Sequence, residues 1–364
     1  MLRRRSQGGV RLAIESRGTK PGVHRHGPPH RLHRRRWVTI GLVLAGILVS
    51  AGSGYFAVRG VRWGETWSAL QTTRYGWFGP ALGLLALGFV IRVIRWQSLF
   101  PPARRPAFSP VARALFAGYL ANNLLPVRAG EAVRVVALNR FAPVRVTTTT
   151  MTVLIERAYD VLSLIALLFV VAPWLPHLSW LHTAGFLAIG LLVVLAALGL
   201  VLARSRGRVL ERAVTPLRKL RFLPQESLDH APEDVLDGLA GLLRPRMALV
   251  AFGWTTLSWL VLGLGYWLTM IAFDLNLRPL SGLLVVIAIG LAMILPSSPA
   301  ALGVFEGATV VVLGLYGIDD SKALAYALVL HLLSFLPFLV LAPFVLGGIA
   351  FRSWRLAWDP AARP

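Results

Sequence analysis

The sequence predicts an all-α polytopic membrane protein with six spanning helices and two re-entrant helical hairpins in an inverted repeat. Three observations lead to this fold class. Hydrophobic residues make up 56% of the 364 residues, charged residues only 15%, and the mean hydropathy is +0.64, whereas soluble domains carry about 25% charged residues. Nine apolar segments follow one another along the chain. The basic residues collect in the connections on one predicted side of the membrane.

Segment length separates the predicted spans from the predicted hairpins. A spanning helix needs about 20 residues, and six segments reach that length: 37–58, 77–99, 151–172, 183–203, 247–273 and 323–350. The other three are short and end at prolines or glycines: 109–125, 280–295 and 300–316. We therefore interpret 109–140 and 280–317 as re-entrant hairpins. If both hairpins cross the membrane fully, the chain has eight spans.

Basic residues predict the orientation, because cytoplasmic loops carry an excess of Lys and Arg. With the N-terminus inside, the inner segments hold thirty Lys and Arg and the outer loops hold five. The inner segments are 1–36, 99–150, 204–246 and 351–364, and the outer loops are 59–76, 173–182, 274–279 and 317–322. We expect a multi-pass protein of the cytoplasmic membrane with both termini in the cytoplasm. Two full crossings at the second hairpin leave this count unchanged, so that alternative stays open.

The same reasoning divides the chain into three regions. Residues 1–36 hold eleven Lys and Arg and one acid, which predicts a disordered basic cytoplasmic tail. Residues 37–350 form the predicted transmembrane domain, and 351–364 form a second cytoplasmic tail. The transmembrane domain comprises half one (37–172) and half two (183–350), and it includes a cytoplasmic connector (204–246). Because the net charge of +22 lies in these connections, we expect membrane lipid rather than nucleic acid as the partner.

Two proline-broken motifs occupy corresponding places in the halves. The first runs Asn122-Asn123-Leu-Leu-Pro126-Val-Arg128-Ala-Gly130-Glu131, and the second runs Leu295-Pro296-Ser297-Ser298-Pro299-Ala-Ala-Leu-Gly303-Val-Phe-Glu306-Gly307. Proline breaks a helix, and an unsatisfied backbone group in lipid costs several kcal/mol. Since each half has three spans, the first hairpin enters from the cytoplasm and the second from outside. Such a pair of broken helices indicates a transporter's binding site.

Three motifs in order carry a family resemblance. They are Asn122-Asn123-x-x-Pro126-x-Arg128-x-Gly130-Glu131-x-x-Arg134, Glu156-Arg157-x-x-Asp160 and Pro296-x-x-Pro299-x-x-x-Gly303-x-x-Glu306. Over roughly 37–350 the sequence resembles the lysylphosphatidylglycerol synthase transmembrane, or flippase-like, family. The resemblance implies lipid movement across bacterial or archaeal membranes. Named members join this domain to a soluble aminoacyl-transferase, which we expect to be absent because the chain ends fourteen residues after residue 350.

Two positions depart from the family's pattern. The family has Pro-Gly-Gly after the second proline pair, whereas Pro299 is followed here by Ala300 and Ala301. Glycine adopts positive φ readily and alanine resists it. The departure therefore argues against a tight turn at these two positions.

The candidate site residues come from both hairpins and the helix after the first. The substrate or gating candidates of half one are Asn122, Asn123, Pro126, Arg128, Gly130, Glu131, Arg134, Glu156, Arg157 and Asp160. Those of the second hairpin are Pro296, Ser297, Ser298, Pro299, Gly303 and Glu306. Glu131 with its neighbouring arginines is interpreted as a gating ion pair, or the arginines as a phosphate clamp. Glu156 and Asp160 share a helix face, which fits a structural clamp and a substrate role equally.

Four charged or titratable residues lie inside apolar segments. Glu306 is the one acid of the second hairpin, and an acid within the membrane is a functional hypothesis by default, here proton or cation coupling. Arg92 and Arg95 lie near the inner end of 77–99 and are typical of arginines that snorkel to headgroups. His331 is interpreted as a packing histidine, with a proton relay as the alternative.

The function predicted from these residues is transport of an anionic or phosphate-bearing lipid across the cytoplasmic membrane, coupled to protons. No nucleotide-binding or zinc motif and no cysteine occur in the sequence, so we expect no cofactor, no metal and no ATP hydrolysis. One alternative is a membrane-embedded glycosyltransferase with a lipid-phosphate donor, although loop 59–76 offers only Glu65 as an acid. Another is a non-transporting partner of an envelope enzyme. A separate synthase or glycosyltransferase is the expected protein partner.

Overall fold

The computed structural model describes residues 44, 47–125, 129–174, 190, 245–294 and 298–358, with 346–358 as backbone only. This part of the chain is helical and contains no strand. Its helices are α1 Ile47–Val58, α2 Trp63–Gln71, α3 Phe78–Ser98, α4 Phe108–Leu124, α5 Gly130–Phe141, α6 Val146–Val171, α7 Pro245–Ala272, α8 Pro279–Ala292, α9 Val304–Gly314 and α10 Asp320–Trp358. The all-α class predicted from the sequence is confirmed.

Three of the described helices are long and apolar enough to cross a membrane: Tyr75–Ser98, Arg246–Ala272 and Asp320–Val345. Helix α6 has 26 residues but carries the charged triplet Glu156, Arg157 and Asp160. Apart from residue 190, the predicted span 183–203 lies outside the described residues. So do most of 37–46, the predicted tail 1–36 and residues 204–244 of the predicted connector. The six-span count therefore stays a prediction.

Two element boundaries differ from the sequence prediction. The outer loop 59–76 contains helix α2, which rests on the start of α10: the Thr66 hydroxyl donates to the Ser321 carbonyl at 3.2 Å, and the Arg62 N–H donates to the Ser321 hydroxyl at 3.0 Å. Desolvation disfavours the charged form of Asp319, but hydrogen bonds from Ser321 and Arg62 outweigh it and hold its pKa below the usual value.

The second difference is the end of α10. This helix continues past Pro337 and Pro343 to Trp358, eight residues into the predicted tail.

The first hairpin is formed by α4 and α5, which approach closely at two glycines. A methyl group at Gly130 would lie 2.0 Å from the carbonyl oxygen of Gly118, so the two backbones touch there. Asn122 Oδ1 accepts a hydrogen bond from the Gly130 N–H at 2.9 Å, which satisfies a free donor of the α5 N-terminus. Asn122 and Gly130 thus hold the hairpin closed.

The second hairpin is formed by α8 and α9, joined through the 3-10 turn Pro299–Ala301. Gly303 precedes α9 with φ +83, and a methyl group there would lie 2.2 Å from the Ser50 carbonyl oxygen of α1. Ala300 and Ala301 have φ of 56 and 55. The sequence argument against a tight turn here is therefore wrong, since both alanines occupy the left-handed region.

Two apolar clusters hold these helices together. One joins α3, α4, α5 and α6 around Trp96, Leu115 and Leu138. The other joins α6 to α7, α8, α9 and α10 around Ile287, Leu313 and Tyr326. Helix α3 packs along α7, α4 against α10, and α8 against α6. Each hairpin therefore packs against a long helix of the other half.

Candidate functional site

A cavity of about 600 Å³, here called the central cavity, lies where the two hairpins meet. The first hairpin lines it with Asn122, Asn123 and Glu131, and the second with Ser298, Ala300 and Ala301. Side chains of α3, α6, α7, α8 and α10 complete the wall. The wall combines aromatic rings, aliphatic side chains and charged groups. The hairpins bring together parts of the two sequence motifs that lie far apart in the chain.

An arginine–carboxylate network borders the cavity. It consists of Arg95, Arg134, Arg157, Glu131, Glu156 and Asp160. At its centre the Glu156 side chain, 1% exposed, contacts Arg95 and receives a hydrogen bond from Arg134 Nη1 at 3.1 Å. Arg95 Nη1 donates to Asp160 Oδ1 at 2.5 Å. Three guanidinium groups and three carboxylates are thus matched in number.

The edge of the network faces the cavity. Arg157 Nε lies 3.0 Å from Glu131 Oε1, and Arg157 Nη1 lies 3.4 Å from Asp160 Oδ2. The side chains of Arg157 and Glu131 are 40% and 32% exposed. Because α5 supplies Glu131 and α6 supplies Arg157, this pair joins the first hairpin to the helix that follows it.

The buried part of the network joins three helices. Arg134 of α5 lies over the Trp96 ring of α3 at 4.9 Å, and Trp96 Nε1 donates to Thr152 of α6 at 3.1 Å. Breaking a buried ion pair leaves an uncompensated charge and is strongly destabilising. This geometry fits the clamp role considered for Glu156. The snorkelling interpretation is wrong for Arg95, which is 2% exposed because Glu156 and Asp160 pair with it inside the protein.

A second polar pair joins α9 to α10. His331 Nδ1 and Glu306 Oε1 are 2.5 Å apart. The second oxygen of Glu306 accepts a hydrogen bond from the Gly303 N–H at 2.7 Å. The His331 ring stacks on Phe305 with centroids 4.4 Å apart and lines the central cavity. His331 therefore packs against an aromatic ring, as one of the two sequence interpretations predicted. It also contacts the Glu306 carboxylate.

Arg92 is a cavity residue that the sequence interpretation did not select. Its guanidinium lies over the Trp259 ring, 5.2 Å from the centroid. Within the described ranges no carboxylate pairs with it. Arg92 and Arg95 are separated by less than one helical turn, and sequence spacing alone does not reveal that they face different partners.

The remaining predicted site residues divide into three sets. Asn122, Asn123, Glu131, Arg157, Asp160 and Ser298 line the cavity. Gly130, Arg134, Glu156, Gly303 and Glu306 support its wall, and Pro299 begins the 3-10 turn of the second hairpin. The prolines and polar residues of the two hairpin turns, Pro126, Arg128, Pro296 and Ser297, lie outside the described residues. In the part of the chain that is described, no group of three or more His, Asp or Glu is placed to hold a metal ion.

Sequence comparison extends this geometry to a family. The model of the lysylphosphatidylglycerol synthase TM region matches residues 43–342. The chain belongs to this family. The family match covers both hairpins, the arginine–carboxylate network and the Glu306–His331 pair. A UPF0104 membrane protein of Methanocaldococcus jannaschii is 26% identical over 225 residues, which is 59% of this chain and 87% of that protein. Family membership and the apolar helices together establish a membrane location.

Proposed function

We propose that this protein transports an anionic or phosphate-bearing lipid across the cytoplasmic membrane. The observation that carries the proposal is the central cavity between the two hairpins. Its volume of about 600 Å³ falls in the range of about 300–1,000 Å³ that holds small ligands. The wall combines arginines with Trp259, Tyr266 and Phe338, which suits a charged headgroup attached to an apolar chain. The family's name, which refers to a lipid synthase, supports a lipid substrate.

The packing of the halves supports an inverted repeat. Helix α4 packs on α10 as α8 packs on α6. In addition, Glu131 in the first turn of α5 pairs with Arg157 on α6, and Glu306 in the first turn of α9 pairs with His331 on α10. The two pairs thus join each hairpin to its following helix in the same way. In inverted-repeat transporters, one repeat moves against the other around a fixed central site, and these pairs suit opposite gates.

The Glu306–His331 pair supports proton coupling. A carboxylate and an imidazole 2.5 Å apart form one hydrogen bond, and His331 lines the cavity. Uphill lipid transport without a nucleotide site draws on an ion gradient. We infer that this pair takes up a proton when substrate loads and releases it on the other side.

The glycosyltransferase alternative has less support. Glu65, the acid of loop 59–76, pairs with Arg62 at 2.6 Å at the protein surface and not beside the cavity. A separate synthase or glycosyltransferase that supplies the lipid remains part of the proposal as a partner.

Reconstitution in liposomes tests the function. Acyl-chain-labelled phosphatidylglycerol is incorporated, and translocation is measured as the fraction of label protected from an impermeant quencher. We expect wild-type protein to move the lipid and an inward proton gradient to drive its net movement. Glu306→Gln mimics a permanently protonated carboxyl, so we expect exchange to persist while gradient-driven accumulation is lost. Wild-type movement that is indifferent to pH and to protonophores refutes the coupling; no movement under any condition refutes transport.

A further inference from the structure

Among the described residues, each charged side chain at the central cavity contacts an oppositely charged or titratable group, except one. Arg95, Arg134 and Arg157 contact Glu131, Glu156 and Asp160. Glu306 contacts His331. Arg92 is half-buried and lines the same cavity, and it has no carboxylate partner in the described part of the chain. Within the described ranges, Arg92 is therefore the cavity arginine that contacts no carboxylate.

An arginine inside a membrane protein is ordinarily paired, because removing its charge from water is costly. Trp259 offsets part of that cost, since a guanidinium over an indole face is attracted by the ring. The ring contacts one face of the guanidinium. The N–H groups around its edge remain able to form two parallel hydrogen bonds to a phosphate. The Tyr266 side chain lines the cavity together with Arg92.

We propose that Arg92, held against Trp259, is the anion-binding group of the cavity and that it takes the phosphodiester of a lipid with one net negative charge. This assignment rests on the proposed transport function and specifies its substrate. The described carboxylates beside the cavity already contact arginines or His331. A headgroup that also carries an ammonium group would therefore find no unpaired carboxylate. The cavity should accept a monoanionic headgroup better than a zwitterionic one.

Two lipids that differ in headgroup charge test this assignment. Acyl-chain-labelled phosphatidylglycerol carries one negative charge, and labelled phosphatidylcholine is zwitterionic. In proteoliposomes, we expect wild-type protein to move phosphatidylglycerol faster. Arg92→Ala should reduce that movement by about 10- to 100-fold, the loss typical of a hydrogen bond to a charged group. Arg92→Lys should be intermediate, because it keeps the charge and loses the planar fork.

Arg113→Ala is the matched control. Arg113 is an exposed arginine of α4 that does not line the cavity, and no ion pair with it occurs in the described ranges. We expect this variant to transport phosphatidylglycerol at the wild-type rate. Equal losses in Arg92→Ala and Arg113→Ala, or equal wild-type rates for the two lipids, overturn the assignment.

Binding measured apart from transport separates this inference from the proposed function. In detergent, phosphatidylglycerol should raise the Tm of wild-type protein and of Arg113→Ala, and it should leave Arg92→Ala unchanged. Without lipid, Arg92→Ala should unfold at the wild-type temperature or above, since an unpaired charge has been removed. An Arg92-dependent Tm shift without translocation refutes transport and upholds the site. Translocation with a lipid-induced shift that survives in Arg92→Ala refutes the site and upholds transport.

Discussion

Replacing Glu156 by glutamine removes the carboxylate on which Arg134 depends. Arg134 is 2% exposed, and within the described ranges Glu156 is the acid it contacts. Arg95 keeps Asp160 after the change, and Arg157 keeps Glu131 and Asp160. Glu156→Gln therefore leaves a buried guanidinium uncompensated, which costs about 3–5 kcal/mol. In a chain of this size about 2 °C of Tm corresponds to 1 kcal/mol, so we expect a fall of roughly 6–10 °C.

Thermal unfolding of purified protein in detergent measures this fall. Glu65→Gln is the control, because Glu65 pairs with Arg62 at the surface, where the side chains are 48% and 64% exposed and such pairs contribute at most about 1 kcal/mol. The double variant Arg134→Met/Glu156→Gln should recover part of the loss, since it removes the orphaned charge as well. If Glu156→Gln and Glu65→Gln unfold at the same temperature, the network does not act as a buried clamp.

Two backbone predictions follow from the hairpins. Gly130→Ala places a methyl group 2.0 Å from the Gly118 carbonyl oxygen, and we expect a loss of about 3 kcal/mol in stability. Gly83→Ala is the control, because a methyl group there meets nothing within 4 Å, and it should stabilise α3 slightly. Comparable Tm values for these two variants contradict the close approach. Ala300 has a φ of 56, a conformation that costs an L-residue about 1–2 kcal/mol, and Ala300→Gly removes this strain. Because glycine also makes the unfolded chain more flexible, we expect a net gain in stability of up to about 1 kcal/mol. A lower Tm for Ala300→Gly argues against strain at that turn.

The sequence predicted helices well wherever hydrophobicity alone decides them. Predicted segments 77–99 and 247–273 correspond to α3 Phe78–Ser98 and α7 Pro245–Ala272. Helix α2 was missed because a nine-residue segment that contains Glu65, Thr66 and Ser68 is typical of an outer loop. The helix depends on the tertiary contact between Thr66 and Ser321. The turn at Ala300 was misjudged for a related reason. Alanine by itself disfavours the positive φ of this turn. The turn lies next to Gly303, whose backbone contacts α1.

The candidate site was predictable where local sequence features mark its residues, and not where distant helices supply their partners. Motif residues such as Asn122 and Glu131 could be selected because they accompany broken helices. Arg92 could not be distinguished from Arg95 by spacing, since the difference lies in partners supplied by distant helices: Trp259 of α7 for one and Asp160 of α6 for the other. The contact between His331 and Glu306 likewise depends on how α9 packs on α10.

Blocking the central cavity tests the central claim most directly. The natural chain has no cysteine, so Ser334→Cys introduces a single thiol at a side chain that lines the cavity. Ser68→Cys introduces one at an exposed position on α2. After reaction with a bulky maleimide, we expect Ser334→Cys to lose phosphatidylglycerol translocation and Ser68→Cys to keep it. We also expect bound phosphatidylglycerol to slow labelling at position 334. Full translocation by completely labelled Ser334→Cys protein would contradict passage of the lipid through this cavity.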